Sequence, residues 1–313
     1  MMNQDFTLSK IIPEDKTEMK KLASNNGGNQ NLSEAFIDHW YFNNPSNSKS
    51  LWKVVMDGSI EGFATTNNFK FNIDNKECLV AMSQNVLTST KVRGKGLFNK
   101  LYLKTEEENI EENKVDYFLT VTNKLSTPIF INKFNYVRGK CPLVLLTFFN
   151  VFDLFSKIKY KRLSDINSID FPHTHYCFNN AMKKNRDHFK WRYNKYATDK
   201  LHVIAILEHA KTIGYAILKS EKKKGVKILI LMDIICVSEE SIPLIIEGCY
   251  VYTTKNYFLA MLMFDIYGKL KRKKNQLSFK EKFNFLVKGK SQEDTKMLSQ
   301  TNFNLFFGDL DIV

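Results

Sequence analysis

The sequence predicts a mixed α/β protein built as two like halves, and three observations carry that expectation. Segments of strand character alternate with segments of helical period along the first half. One alternation is immediate: the apolar run Cys78 to Val86 feeds Lys91-Val92-Arg93-Gly94-Lys95-Gly96-Leu97-Phe98, after which Leu97, Phe98, Leu101, Tyr102 and Thr105 recur at helical spacing. Beyond residue 160 a set of landmarks returns in the same order at near-equal intervals.

In chain order, Phe6 to Ile12 reads as a strand, and Pro13-Glu14-Asp15 opens a helix towards Ala23. Asn25 to Asn31 is a loop. A second helix, Ser33 to Phe42, stops at Asn43-Asn44-Pro45, because proline cannot continue it. Leu51 to Val55 and Glu61 to Thr66 form a hairpin about Asp57-Gly58. Cys78 to Thr88 is the strand before the glycine turn. Tyr117 to Val121 follows as a strand, Ser126 to Lys133 as a helix and Tyr136 to Phe149 as strand material, with Cys141 to Tyr160 joining the halves.

The second half echoes the first. Trp40, Tyr41, Asn43, Leu51 and Gly62-Phe63-Ala64 correspond to Trp191, Tyr193, Asn194, Leu201 and Gly214-Tyr215-Ala216. Met82-Ser83 corresponds to Met232-Asp233, and Tyr117-Phe118-Leu119 to Tyr257-Phe258-Leu259. The expected division is therefore residues 1–150 and 151–313. The echo fails at the glycine turn, where the second half reads Val237-Ser238-Glu239-Glu240-Ser241-Ile242-Pro243, without glycine and with two carboxylates that would repel a diphosphate.

Composition bounds the partners. With 313 residues, 43% of them hydrophobic and 13% aromatic, the chain can pack one large core or two modest ones. A net charge of +13 suits anionic partners. Lysine and asparagine are abundant throughout, however, and no nucleic-acid-binding motif accompanies the charge, so no nucleic-acid partner is expected. Five cysteines without CxxC spacing read as reduced core residues, which points to the cytoplasm. His173 and His175 beside Cys177 make a poor zinc set, so no metal is expected. Met1 to Lys10 lacks the apolar core of a signal peptide. Cys141 to Phe155 is interrupted by Pro142, Asn150 and Asp153 and falls short of the roughly 20 residues that span a bilayer, so at most peripheral membrane contact is expected.

Glycines let a backbone bend and approach a ligand, and the first amides of a helix present partial positive charge, so the turn at Gly94 and Gly96 suits a phosphate. Lys91, Arg93 and Lys95 add full charges. The pattern satisfies neither a phosphate-binding P-loop nor the complete dinucleotide fingerprint. It resembles instead the acetyl-CoA loop of the GNAT (GCN5-related N-acetyltransferase) superfamily, whose Q/R-x-x-G-x-G/A pattern is met by Lys91, Gly94 and Gly96, with lysine in first place. The element order from Phe6 to Phe149 is similar to the GNAT order. The sequence also resembles tandem GNAT proteins of bacterial surface-polysaccharide loci, through RGKGLF, Trp191-Arg192-Tyr193 and Phe307-Gly308-Asp309-Leu310-Asp311.

That resemblance implies tandem twisted mixed β-sheets flanked by helices, the second copy degenerate, with acetyl-CoA held where the first sheet parts. It implies cofactor contacts from the loop, Lys91, Val92, Arg93, Gly94, Lys95, Gly96, Leu97 and Phe98, and an oxyanion donor from the backbone near Asn85, Val86 or Leu87. Asn123 and Ser126 fall where many members carry N-x-x-A/S. Phe130 stands where many carry the tyrosine that protonates the departing thiolate, and Tyr136 lies close by in sequence. The expected function is N-acetyl transfer to a primary amine, with an amino sugar or surface-polysaccharide precursor as the leading acceptor. Aminoacyl or long-chain acyl transfer on the same fold, or a catalytically silent binding or scaffold role, are the alternatives.

Acyl transfer to an amine needs a base, and the residues leave its identity open. Ser83-Gln84-Asn85 holds no carboxylate, although a water relayed through Gln84 or Asn85 would serve. Asp116 begins a strand, where an aspartate is usually solvated. Asp233 lies inside the apolar run Ile228 to Val237, where burial would raise its pKa; it reads as a base or as a partner for a nearby arginine or backbone group. The aromatic groups Trp40-Tyr41-Phe42 and Trp191-Arg192-Tyr193 read as core or as paving for an acceptor. Lys222-Lys223-Lys224 and Lys269 to Lys274 read as solvated faces or as attraction for an anionic acceptor, such as a nucleotide sugar or a lipid-linked precursor.

Overall fold

A computed structural model describes residues 6–26, 32–172, 178–194, 200–223, 225–266, 273–280 and 284–310. His173, His175 and Cys177 lie outside the described residues, as do Lys224, Lys269, Lys271, Arg272, Asp311, the start of Met1 to Lys10 and most of the Asn25 to Asn31 loop.

The chain begins with β1 (Phe6–Lys10), a short 3-10 turn and α1 (Lys16–Asn25). Ser33 then caps α2 (Glu34–Ile37), its Oγ accepting from the Phe36 amide at 3.1 Å, as a serine at that position should. The helix widens into a π-turn over Asp38–Phe42, an uncommon form that often marks functional sites. A meander follows: β2 (Lys49–Met56), β3 (Ser59–Ile73) and β4 (Lys76–Thr88). Its first turn is the expected Asp57-Gly58, with φ of 51° and 75°, and its second is Asp74-Asn75, with φ of 50° and 61°. β3 runs well past the expected Thr66 because Thr65, Thr66, Asn67 and Asn68 are buried with hydrogen-bond partners, which an apolar-polar pattern does not reveal.

After the glycine turn come α3 (Leu97–Glu111), β5 (Tyr117–Thr122), α4 (Thr127–Phe134) and β6 (Val137–Arg138). The second half holds β7 (Val144–Phe148), β8 (Lys159–Leu163), β9 (Ala181–Met182), α5 (Arg186–Asn194), β10 (Leu201–Glu208), β11 (Lys211–Lys223), β12 (Val226–Cys236), α6 (Ser241–Lys255), β13 (Ala260–Phe264) and β14 (Gln276–Phe279). β15 (Asn284–Gly289) and α7 (Gln292–Gln300) complete the chain before a last 3-10 turn at Phe307–Asp309. Tyr257 and Phe258, expected in a strand, lie instead in the turn that ends α6.

Two compact units result, and they interleave where a division at residue 150 was expected. The first comprises residues up to Phe71, Lys76–Gly139 and Phe283–Thr301; the second comprises Asn72–Asn75, Lys140–Lys282 and Asn302 onwards. The strand path of the first sheet is β1-β2-β3-β4-β5-β15-β6, and that of the second is β8-β10-β11-β12-β13-β7-β14. The two paths match position for position, so the sixth strand of each sheet comes from the other half of the sequence. In the first sheet β15 lies between β5 and β6, with Phe285 opposite Val121 and Leu286 opposite Arg138. In the second, β7 lies between β13 and β14, with Leu146 opposite both Leu262 and Leu277.

Each unit has its own core. The first gathers Leu101, Tyr102, Phe118, Phe130, Phe134 and Tyr136 between sheet and helices. The second packs the apolar face of α6, including Ile242, Ile245, Ile246 and Cys249, against β10, β11 and β12. Gly248 permits close approach there: a Cβ at that position would lie 2.7 Å from Ile206.

Candidate active site

In the first unit β4 and β5 run parallel only from Val80↔Tyr117 to Ser83↔Thr120, so Gln84 to Thr88 continue beyond the last β5 partner. Thr120 Oγ1 donates to the Ser83 carbonyl at 3.1 Å and closes the ladder at that point. Beyond it the strands part, and Gln84, Asn85, Val86 and Leu87 are each half-buried.

Thr65 and Asn67, two apart on β3, both reach the Trp40-Tyr41 segment, as strand alternation requires. The adjacent Gln84 and Asn85 reach that same segment: Trp40 Nε1 donates to Gln84 Oε1, and Asn85 Nδ2 donates to the Tyr41 hydroxyl at 2.6 Å. Gln84 and Asn85 are thus both tied to the Trp40-Tyr41 segment at the place where the pairing of β4 with β5 ends.

The glycine turn follows. Gly94 and Gly96 have φ of 82° and 74°, and a Cβ on either would meet open space, so glycine is needed for the backbone conformation. The Lys95 amide closes back on the Val92 carbonyl at 3.3 Å, while no side chain caps α3 at Gly96. Among the described residues, the amides of Gly96, Leu97 and Phe98 have no protein acceptor, and the first turn of α3 carries no acidic residue. A helix start with its amide donors unpaired has the geometry that suits an anion. Val92 is buried and anchors the turn, as are Leu97 and, in part, Phe98. Lys91, Arg93 and Lys95 are exposed around it. Arg93 Nη2 donates to the Asn26 carbonyl at 3.2 Å, and the Thr90 amide donates to Asn26 Oδ1 at 2.8 Å, which ties the turn to the end of α1.

Beside the turn a cleft of about 300 Å³ is lined by Glu18, Asn26, Glu61, Ser89, Thr90 and Lys91, among others. Ser89 Oγ is buried there without a partner in the protein, and Lys91 Nζ lies 3.9 Å from the buried Glu61 carboxylate. Glu61 and Ser89 belong to the site's surroundings but escaped sequence reasoning, for which only their nearness to Gly62 and to the turn gave a signal.

The other expected residues fall into three groups. Asn123 Oδ1 accepts from the Leu125 and Ser126 amides at 2.9 and 3.0 Å, so Asn123 and Ser126 shape the entry to α4. Phe130 and Tyr136 are core residues: their rings lie 5.2 Å apart, and Tyr136 Oη, Tyr102 Oη and Ser83 Oγ form a buried chain with both links at 2.6 Å. Burial, then the neighbouring Tyr102, holds the Tyr136 pKa well above its ordinary value, and the residue is only 1% exposed. Asp116 accepts from the Leu79 amide at 2.9 Å and has Lys290 at 3.5 Å, a solvated strand-end role.

Asp233 is in the second unit, not in this site. Lys184 donates to its Oδ1, Tyr193 donates to its Oδ2 at 2.5 Å, and Lys184 also lies 2.5 Å from Asp309 Oδ1. Burial pushes the Asp233 pKa up to about 6 against the pull of Lys184, and the side chain is only 1% exposed. The partner anticipated as an arginine is a lysine, and the arrangement is a closed ion cluster.

The second sheet parts as the first does: β12 and β13 pair only from Ile228↔Ala260 to Ile230↔Leu262. The last turn of the chain occupies that gap. Phe307 stacks on Phe264 at the end of β13, at 4.3 Å between ring centres. Gly308 sits so close to β12 that a Cβ would lie 2.4 Å from Asp233 Oδ2 and 2.8 Å from the Met232 carbonyl. Arg192 holds the turn by donating to the Gly308 and Leu310 carbonyls, each at 2.8 Å.

No protein-family model and no curated protein matches this sequence. Solved structures do match. A GCN5-related N-acetyltransferase from Anabaena variabilis shares the fold at TM-score 0.65 and 11% identity, over 90% of this chain and 72% of that one. One from Kribbella flavida does so at 0.63 and 10%, over 90% and 70%. A putative acetyltransferase from Pyrococcus horikoshii does so at 0.55 and 9%, over 98% and 95%. At such identities the likeness establishes the fold alone: two mixed sheets flanked by helices, shared with these structures over most of the chain.

Proposed function

We propose that the protein is an acyl-CoA-dependent N-acyltransferase whose first unit carries the cofactor. The observation that supports this most is the pairing of two features in one place: amides at Gly96, Leu97 and Phe98 without protein acceptors, and a sheet that parts between β4 and β5 directly before them. The residues fit acetyl-CoA, since both glycines adopt left-handed backbone over open space and the exposed cations Lys91, Arg93 and Lys95 flank them. When bound, acetyl-CoA supplies an acetyl group activated as a thioester.

The chain's own groups then divide the work. The turn from Val92 to Phe98 holds a diphosphate by backbone N–H donation, and Lys91, Arg93 and Lys95 add charge that salt would screen. Backbone amides at Asn85 to Leu87, beyond the last β5 partner, present donors to a developing oxyanion. Tyr41 and Trp40 hold the Asn85 and Gln84 side chains in place, and these orient a water or an amine within the parted strands. We assign no proton acceptor to Asp233. An amine acceptor, with amino sugars of surface polysaccharides as the first class to try, follows from the resemblance in the sequence.

The second unit is proposed to bind no cofactor, because its gap is filled by Phe307 and Gly308. One observation favours a silent binding protein instead: Tyr136 is enclosed in the core and Phe130 replaces the expected tyrosine. Thiol release from acetyl-CoA across a panel of amines separates the two readings. Turnover that depends on the amine supports the enzyme; cofactor binding with no turnover on any amine supports the silent protein.

A further inference from the structure

The second unit carries an apolar face that its core does not use. The 3-10 segment Val151–Phe155 follows β7, and its period of three places Val151 and Leu154 on one edge and Phe152 and Phe155 on another. The first pair lines a groove of about 500 Å³ with Phe149, Tyr257 and Leu259. The second pair stands free, Phe152 at 75% and Phe155 at 80% exposure. Tyr257 is 92% exposed and occupies the position after α6 that glycine fills without strain: its φ is 57°, and the Phe258 amide closes on the Thr253 carbonyl in the bond pattern that ends such helices. A tyrosine there is turned outward at a backbone cost and gains no buried contact.

The rim of this face is mixed but mainly cationic, with the half-buried carboxylate of Glu247 accepting from Ser156 Oγ at 2.6 Å. Lys227 lines the groove and Lys255 ends α6 beside Tyr257, both exposed, while Asp153 is already paired with Lys273 at 2.6 Å. Exposed aromatic side chains with a cationic rim match the interface of an anionic bilayer, where rings settle at the headgroup level and lysines meet phosphates. A second copy of the chain, with the same rim and a net charge of +13, would be repelled.

We propose that this face, centred on Phe152, Phe155 and Tyr257, docks the protein on the surface of an anionic lipid membrane. The proposal is independent of the acyltransferase reading. It is tested by sedimentation of the full chain with vesicles of phosphatidylcholine alone and with vesicles of phosphatidylcholine and phosphatidylglycerol in equal parts. The expected result is binding to the mixed vesicles that weakens as salt rises, and that falls roughly tenfold or more in Phe152→Asp with Phe155→Asp. Because both side chains are exposed, the variant should melt with the parent. Lys227→Glu with Lys255→Glu should weaken binding to the mixed vesicles and leave the fold intact. No binding to the mixed vesicles, equal binding to neutral ones, or binding unchanged in the aspartate variant overturns the proposal. So does concentration-dependent self-association that the aspartate variant abolishes without any vesicle binding, which would assign the face to a second copy.

Discussion

The two units follow the same strand path, and in both the central parallel ladder ends early; they differ in what comes next. In the first unit β4 leads into Gly94 and Gly96 and an uncapped helix start. In the second, β12 leads into Ser238 to Ser241 without glycine, and the chain's own Phe307 and Gly308 lie in the gap, fixed by Arg192 and by the cluster of Lys184, Asp233 and Asp309. One scaffold thus yields an open slot with free amide donors and a slot closed by an internal ligand. The parting of the strands belongs to the fold, whereas occupancy is decided by the turn that follows and by where the tail goes.

The largest effect should come from unlocking the closed slot. Lys184→Ala leaves Asp233 and Asp309 buried without their cation, and such a loss costs about 3–5 kcal/mol. Urea unfolding should show it as a lower midpoint. A loss below ~1 kcal/mol would mean the tail is not held by this cluster. Gly308→Val forces side-chain atoms towards Tyr193, Asp233 and Met232, and overpacking of that kind costs about 1–3 kcal/mol. Near-parent stability would show that the tail shifts freely.

Acid should loosen the second unit. Burial lowers the His202 pKa to about 4, and burial with Lys184 and Arg192 lowers that of His188 well below the ordinary range. A histidine depressed in the folded state contributes stability that is complete above its unfolded pKa of about 6.5 and is lost as pH falls through that value towards 4. Asp233 acts in the opposite sense, its contribution fading as pH rises through about 6. His202→Gln isolates the first effect: the fall in stability from pH 6.5 to 4 should shrink by on the order of 1 kcal/mol. An unchanged pH profile would show that His202 already titrates as it does when unfolded.

The smallest effect concerns Tyr136. Tyr136→Phe breaks one link of the Ser83–Tyr102–Tyr136 chain and should cost about 1 kcal/mol of stability with turnover preserved. A collapse of kcat at unchanged stability would restore Tyr136 as a catalytic acid.

Much of this was legible in the sequence, and the limits have physical causes. The glycine turn and Asp57-Gly58 stood out because left-handed backbone selects few residue types. The twofold repetition was readable from Trp40 and Trp191 onwards. The exchange of β7 and β15 was not, because strand partners far apart in sequence leave no local periodicity. The length of β3 was hidden by Asn67 and Asn68, which are polar yet buried among partners. Asp233 was recognised as buried, but its cation Lys184 and the tail that covers it lie 49 and 76 residues away along the chain.

The contrast between the slots comes down to how many acetyl-CoA molecules one chain binds. Isothermal titration should give one per chain, with binding weakened about 100-fold or more by Gly94→Glu, which places a carboxylate on a strained backbone where a diphosphate should sit. Two molecules per chain, or affinity untouched by Gly94→Glu, would contradict the assignment of an open first slot and a closed second one.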